Sequence, residues 1–363
     1  MNKQIDRIFL GIVIALVGVG FAIFVSASVG LLARTGASFG TLAGRQILAI
    51  CIGALAAYAL SRFHYQGLRK YALPFLILSI GVTLLVFVPG IGISHGGANR
   101  WISLFGFSFQ PAELLKIAMV IYYAAFLSTL REETRSALWG LLPLLLLLAL
   151  SGALLLTQPD TDAFLVLGTA LVSMFLLRGG RLLHIGAACL LCAGALASLI
   201  LIRPYLLERV LTFFNPAGDP QGGGYQIQQS LIAIGSGGWF GRGFGQSVQK
   251  FSYLPEPVGD SIFAVAAEEF GFIGAALLVL LFLLFVLRGL RIASSAKDSF
   301  GGLLAGGIVI LISASAFVNM ASMLGLIPLS GLPLSFVSHG GSALLFSLAE
   351  VGIVLNVSRY QRT

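Results

Sequence analysis

Apolar runs of membrane-crossing length dominate this chain. About ten of them can be read, at 8–30, 44–61, 72–90, 111–130, 138–157, 162–178, 182–202, 261–287, 301–323 and 341–357. Each meets or approaches the roughly 20 residues that a helix needs to cross ~30 Å of hydrocarbon. Backbone N–H and C=O groups find no water there, so such runs must be helical. Charged residues are only 10% of the 363, against 58% hydrophobic, too few to cover a soluble globule. The expected fold is an all-α polytopic membrane protein, a single transmembrane domain over 1–363 with ten helices. Residues 1–7 lead straight into a full-length span, so the first helix is expected to be an uncleaved anchor.

An even number of crossings puts both termini on one side, and the basic residues choose which. Of the 22 Lys and Arg residues, 14 fall in one set of connections, including Lys3, Arg7, Arg62, Arg69, Lys70, Arg131, Arg135, Arg288, Arg291 and Arg362. The other set holds 8: Arg34, Arg45, Arg100, Lys116, Arg203, Arg209, Arg242 and Lys250. Both termini are therefore expected in the cytoplasm. The net charge of +8 reflects this bias and gives no reason to expect nucleic acid. The outer face then carries two long segments. One is IGISHGGANRWISLFGFSFQ at 91–110, rich in Gly and aromatics and interfacial in character. The other is a large extracytoplasmic loop of about 203–260 between helices 7 and 8, and a long ordered loop usually carries function.

That loop ends in FSYLPEPVGDSIFAVAAEEFGFIGA, which puts Glu256 and Asp260 at the threshold of a span and Glu268 and Glu269 inside it. Intramembrane acids face a partner or a cavity. Asp260, followed by Ser-Ile-Phe, also reads as a helix N-cap. Glu113 and Lys116 lie three apart on one helix face, which permits an intrahelical pair or a cation held in a polar cavity. Cys189 and Cys192 have the spacing of a metal or redox pair, but no second ligand pair accompanies them, and small hydrophobes on one helix face is the better reading. The run GSGGWFGRGFG lacks the pattern and the preceding strand of a phosphate loop.

At 235–275 the chain resembles the SEDS family, the FtsW, RodA and SpoVE group of bacterial division, shape and sporulation proteins. The resemblance extends to NRWISLFGFSFQPAELLKIA (99–118), QPD (158–160), GYQIQQSLIAIGSGG (224–238) and LIPLSGLPLSFVSHGGSALL (326–345). QSLIAIGSGG and QKFSYLPE are closest in detail to the FtsW branch. The resemblance implies ten spans and a peptidoglycan glycosyltransferase of the bacterial cytoplasmic membrane, with its active site facing outside. Such proteins polymerise lipid II, a polyprenyl-diphosphate-linked disaccharide pentapeptide, beside a class B penicillin-binding protein and other divisome or elongasome proteins. The family's LPEAHTD block aligns with LPEPVGD and assigns its essential acid to Asp260. Pro257-Val258-Gly259 replace Ala-His-Thr, QPD is followed by Thr-Asp-Ala-Phe, and the Ser-Tyr-Gly-Gly block reads Ser338-His339-Gly340-Gly341, with His339 in place of the Tyr.

Glycosyl transfer from a diphosphate needs a base for the attacking hydroxyl, positive charge or metal for the leaving group, and room for a polyprenyl tail. With the family block in hand, Asp260 is the expected base. Arg100, Arg209, Arg242 and Lys250 are the outer-face cations open to the diphosphate, although any single one reads equally as a lipid-headgroup anchor; Glu113, Lys116, Asp160 and Glu269 are further substrate-site residues. Glu256 is a metal ligand or a loop anchor, and Mg²⁺ or Mn²⁺ is the expected ion. A lipid II flippase and a non-catalytic division scaffold are the competing readings. Intramembrane Glu268, Glu269, Lys116 and Glu350 could line a path, but no inverted repeat accompanies them.

Overall fold

The computed structural model describes residues 4–35, 39–95, 98–104, 107–130, 136–219 and 222–361. Lys3, Arg131, Arg135 and Arg362, part of the charge count behind the expected orientation, lie outside the described residues. In chain order the helices are α1 (Arg7–Thr35), α2 (Phe39–Arg62), α3 (Gln66–Lys70), α4 (Ala72–Leu84), α5 (Pro111–Thr129), α6 (Leu142–Leu155), α7 (Thr161–Leu177), α8 (Leu182–Ile202), α9 (Pro204–Phe214), α10 (Gly223–Ser236), α11 (Gln249–Ser252), α12 (Ile262–Ser294), α13 (Ser299–Met323) and α14 (Gly341–Ser358). Among the described residues, seven of these are long and apolar enough to cross a membrane: α1, α2, α5, α8, α12, α13 and α14. The shorter apolar helices around α4, α6 and α7 occupy the remaining expected runs. The protein is a helical polytopic membrane protein.

Two expectations need correction. The fold is not purely α. Gly92–His95 (β1), Ala98–Leu104 (β2) and Phe107–Phe109 (β3) form an antiparallel sheet in the order β1-β2-β3. Ile93, Trp101, Ile102, Phe107 and Phe109 are β-branched or aromatic, the residue types that fill a pleated surface, and Pro111 then starts α5 at its first turn. The segment at 203–260 is also more than a loop, since it contains α9, α10 and α11. Pro204 opens α9, where its missing N–H costs nothing.

α13 and α14 form the centre of the bundle, with α13 against α5, α7 and α12 and α14 against α2. Packing inside a membrane relies on close backbone approach through small residues. A Cβ added at Gly352 of α14 would meet the Cα of Ala57 in α2 at 2.6 Å, so only glycine permits this contact. The chain ends meet on one side. Asp6 pairs with Arg288 at 2.7 Å, and its N–H donates to Ser358 Oγ at 3.0 Å.

Candidate active site

Asp260 sits in a turn just ahead of α12. The Glu256 carbonyl accepts from the N–H groups of Gly259 and Ser261, both at 3.1 Å, and Glu256 itself has a left-handed φ of 45°. Ser261, not Asp260, is the N-cap residue, and no side chain caps the helix. The expected capping role for Asp260 is therefore corrected: with both Asp and Ser at the boundary, the helix begins one residue later. Three successive carbonyls of the turn are held, two from the α13–α14 connection and one from α13 itself. His339 N–H donates to Val258 O at 2.7 Å, Ser338 Oγ to Gly259 O at 2.7 Å, and Asn319 Nδ2 to Asp260 O at 2.7 Å. Gln226 of α10 donates to Ser261 Oγ at 2.9 Å. The turn is fixed through its backbone; Gly259 brings no side chain, and that of Val258 is buried in the core. The Asp260 carboxylate, by contrast, has no hydrogen bond or ion pair among the described residues. Burial, then the nearby charges of Glu256 and Asp162, push its carboxyl up to about 7 against the opposing pull of Arg100 and Arg209.

Those neighbours come from distant parts of the chain. Arg209 of α9 pairs with Asp162 at 3.1 Å, and Gly331 N–H donates to the same Asp162 oxygen at 3.0 Å. A Cβ built on Gly331 would lie 3.8 Å from Asp260 Oδ2, 3.9 Å from Asp162 Oδ2 and 4.0 Å from Arg209 Nη2, so these three groups surround one point. Asp160 caps α7 through Ala163 N–H at 3.4 Å and accepts from Gln110 at 3.2 Å. Arg100 of β2 stands 3.8 Å from Asp160 and donates to the Gln158 and Pro159 carbonyls. Burial raises the Asp160 carboxyl, and Arg100 opposes the shift.

Glu113 and Lys116 pair at 2.9 Å, and both also line a narrow cavity with Ser315, Pro333, Ser335, Ser338, Ser347 and Glu350. The intrahelical pair and the polar cavity are thus one arrangement. At about 20 Å³ the cavity has room for about one water. Ser338 belongs both to this cavity and to the turn that carries Asp260.

Lys250 and Glu269 lie elsewhere. Lys250 is fully buried, and its Nζ bonds Glu269 Oε1 at 2.7 Å, Ser26 Oγ at 2.9 Å and Gly245 O at 2.9 Å. It is therefore not an outer-face cation: the loop folds inward onto α1 and the ammonium is consumed there. Glu268 accepts from Ser247 Oγ at 2.5 Å and from the N–H groups of Val248 and Gln249, and Arg242 stands 3.6 Å away. The glycine-rich run docks into a break in α12. At Gly271 (φ 68°) the helix is interrupted. Arg242 and Gly243 N–H groups take the freed Glu268 and Glu269 carbonyls, both at 3.0 Å, while Phe272 N–H donates to Gly238 O at 2.8 Å. Every orphaned group of a broken helix needs such a partner inside a membrane. His339 stacks on Phe24 and bonds Gln46 at 3.1 Å, with burial and Arg45 lowering its affinity for a proton.

Among the described residues no three or more His, Cys, Asp or Glu side chains converge as a metal site. Mg²⁺, however, binds through one or two carboxylates completed by substrate phosphates. The exposed Glu256 beside Asp260 meets that requirement.

The profile of the FtsW/RodA/SpoVE family, described as a cell cycle protein, matches residues 6–363. The chain belongs to this family. The probable peptidoglycan glycosyltransferase FtsW of Trichlorobacter lovleyi is 40% identical over 355 residues, covering 98% of this chain and 93% of its own. Stage V sporulation protein E of Bacillus subtilis is 40% identical over 321 residues, 88% and 87% of the two chains. Among solved structures, a chain of a peptidoglycan synthase complex, studied for how it coordinates polymerization and crosslinking, superposes with a TM-score of 0.82 at 30% identity over 99% of both chains. RodA of Thermus thermophilus does so with a TM-score of 0.73 at 28% identity, over 99% and 98%. The FtsW/RodA/SpoVE blocks quoted above converge in space: those holding Arg100, Asp160, Gln226 and Gly331 all reach the turn of Asp260 or its neighbours. Asn319 and the clamping role of Ser338 escaped the sequence reading, although an Asn in a long apolar span is itself a signal.

Proposed function

We infer that this chain is a peptidoglycan glycosyltransferase that joins lipid II disaccharides into glycan strands at the outer face of the bacterial cytoplasmic membrane, most like the FtsW branch and serving septal wall synthesis. The observation that carries the mechanism is the uncapped Asp260 carboxylate, fixed through its backbone at the start of a span. Asp260 takes the proton of the attacking sugar hydroxyl as that oxygen bonds the donor's anomeric carbon and the polyprenyl diphosphate departs. A carboxyl near neutrality suits such a base. Arg100 and Arg209 supply positive charge beside it, while Asp160 and Asp162 orient them. Lys116, paired with Glu113, places its own ammonium in the adjoining cavity. Arg242, Lys250 and Glu269 support the site by securing the loop and the break in α12. A divalent ion, Mg²⁺ or Mn²⁺, held by Glu256 would neutralise the leaving diphosphate.

Ten crossings with cytoplasmic termini put Asp260 outside, where a class B penicillin-binding protein, packed by its membrane helix, would crosslink the product. The test is strand formation from labelled lipid II by the purified chain with its partner. Asp260→Asn should lose about 10²–10⁴-fold in rate, and excess EDTA should abolish activity until metal returns. Wild-type rates in the Asn variant would overturn the base assignment, and full activity in EDTA would remove the ion. A lipid-scrambling assay run alongside separates a flippase.

A further inference from the structure

Asn319 lies in α13 one turn before its outer end and is fully buried. Its amide nitrogen donates twice, to Asp260 O and to Leu332 O, each at 2.7 Å. Its Oδ1 has no partner among the described residues, so the side chain is oriented by its two donors alone. A buried amide oxygen left unpaired costs free energy, and an apolar residue would avoid that cost. What Leu or Met could not do is tie the Asp260 turn to the connection that follows α13. The two acceptors are the places that matter: one is the backbone of the proposed base, and the other adjoins Gly331, around which Asp260, Asp162 and Arg209 gather.

We propose that Asn319 is a positioning residue for glycosyl transfer, holding the Asp260 carboxylate against the Gly331–Leu332 segment by bridging two backbone carbonyls. The proposal rests on Asp260 being the base. Small displacements of a reacting group are expensive, on the order of 10²-fold for ~1 Å. The bridge acts on the reacting atoms and not on lipid capture, so its loss should fall on kcat.

The groups facing Asp260 are Glu256 from its own turn, Asp162 from the start of α7, Arg209 from α9 and Arg100 from β2. His339, the titratable residue of the clamping connection, faces Gln46 and Phe24 instead. With the bridge cut, the turn loosens and the half-buried carboxylate becomes more exposed to water. The acid limb of the kcat–pH profile should then move to lower pH, since burial is the first cause of its raised position.

The experiment compares wild type, Asn319→Ala, Asn319→Gln and Asp260→Asn in lipid II polymerisation, with melting temperature followed in parallel. Asn319→Ala should lower kcat by about 10–10²-fold, leave KM within about twofold and shift the acid limb downward. Asn319→Gln, which keeps both donors but displaces them by one methylene, should lie between Ala and wild type, and it carries the test if the Ala variant does not fold. An unchanged limb with KM and kcat falling together would overturn the positioning role in favour of a merely structural one, as would wild-type kinetics in folded variants. An active Asp260→Asn would instead remove the base on which the proposal stands.

Discussion

Asp260 pairs two properties that pull in opposite directions. The same burial that makes its carboxyl a stronger base opposes the charged form on which that role depends. A base must be ionised to act, so polymerisation should rise with pH through about 7. Glu256→Gln, assayed at metal concentrations that saturate the weakened site, removes the second cause of the raised value and should move that limb to lower pH; an unmoved limb would show that the two carboxylates do not interact. The stability consequence has the opposite sign. A carboxyl with a folded-state pKa near 7, against about 3.9 unfolded, binds more protons when folded, so its contribution to stability is lost as pH rises through that window. Asp260→Asn should therefore melt higher than wild type at pH 8, and the difference should vanish at about pH 4, in thermal scans of matched preparations. Asp260 is legible in the sequence as the candidate base because LPEPVGD keeps the acid that the family resemblance points to. Its freedom from capping was not, because Asp and Ser are equally good at starting a helix and only the backbone decides between positions 260 and 261.

At the scale of the element, α12 is two helices with a junction at Gly271. Sequence reading took 261–287 as one span, since an isolated Gly inside a helical pattern is tolerated and does not announce a break. The break becomes visible only with the partner that satisfies it, the glycine-rich turn at 237–243, whose N–H and C=O groups complete the interrupted ladder. Lys250 departs from the expectation of an outer-face cation for a related reason. Its partners Ser26 and Glu269 lie in α1 and α12, and no local pattern reveals that a loop cation will turn inward to meet them. A buried ion pair costs most when halved. Lys250→Met alone should destabilise by about 3–5 kcal/mol by leaving Glu269 uncompensated, whereas Lys250→Met with Glu269→Leu should be much milder. Denaturation of the two variants in detergent checks this. Equal losses would mean that the charges themselves, and not their pairing, hold the loop.

For the whole molecule, the spans were the most legible feature, because hydrocarbon imposes length and composition together. The sheet at 92–109 and the helices within 203–260 were harder, since short elements at an interface carry little periodicity. The orientation yields a direct check. Cysteines placed at Arg69 and Arg291 should be shielded from impermeant thiol reagents in intact cells, and one at Gly222 should label. Cys51 and Cys189 are exposed on the helix surface rather than buried, so all three native cysteines should first be replaced. Labelling at Arg291 would reverse the orientation. The fit of Gly352 against Ala57 joins the last helix to the second, and this bears on biosynthesis. The ribosome delivers α2 to the membrane well before α14, so the central interface waits until α13 and all that precedes it have been made. Every nascent chain that has passed Asp260 but not yet reached α14 carries that residue without a closed bundle. A stop codon just before Gly341 should thus yield a chain that retains Asp260 and its clamp but is cleared by membrane proteases, as pulse-chase labelling would reveal. A stable, partner-bound truncation would show that the bundle closes without its final helix.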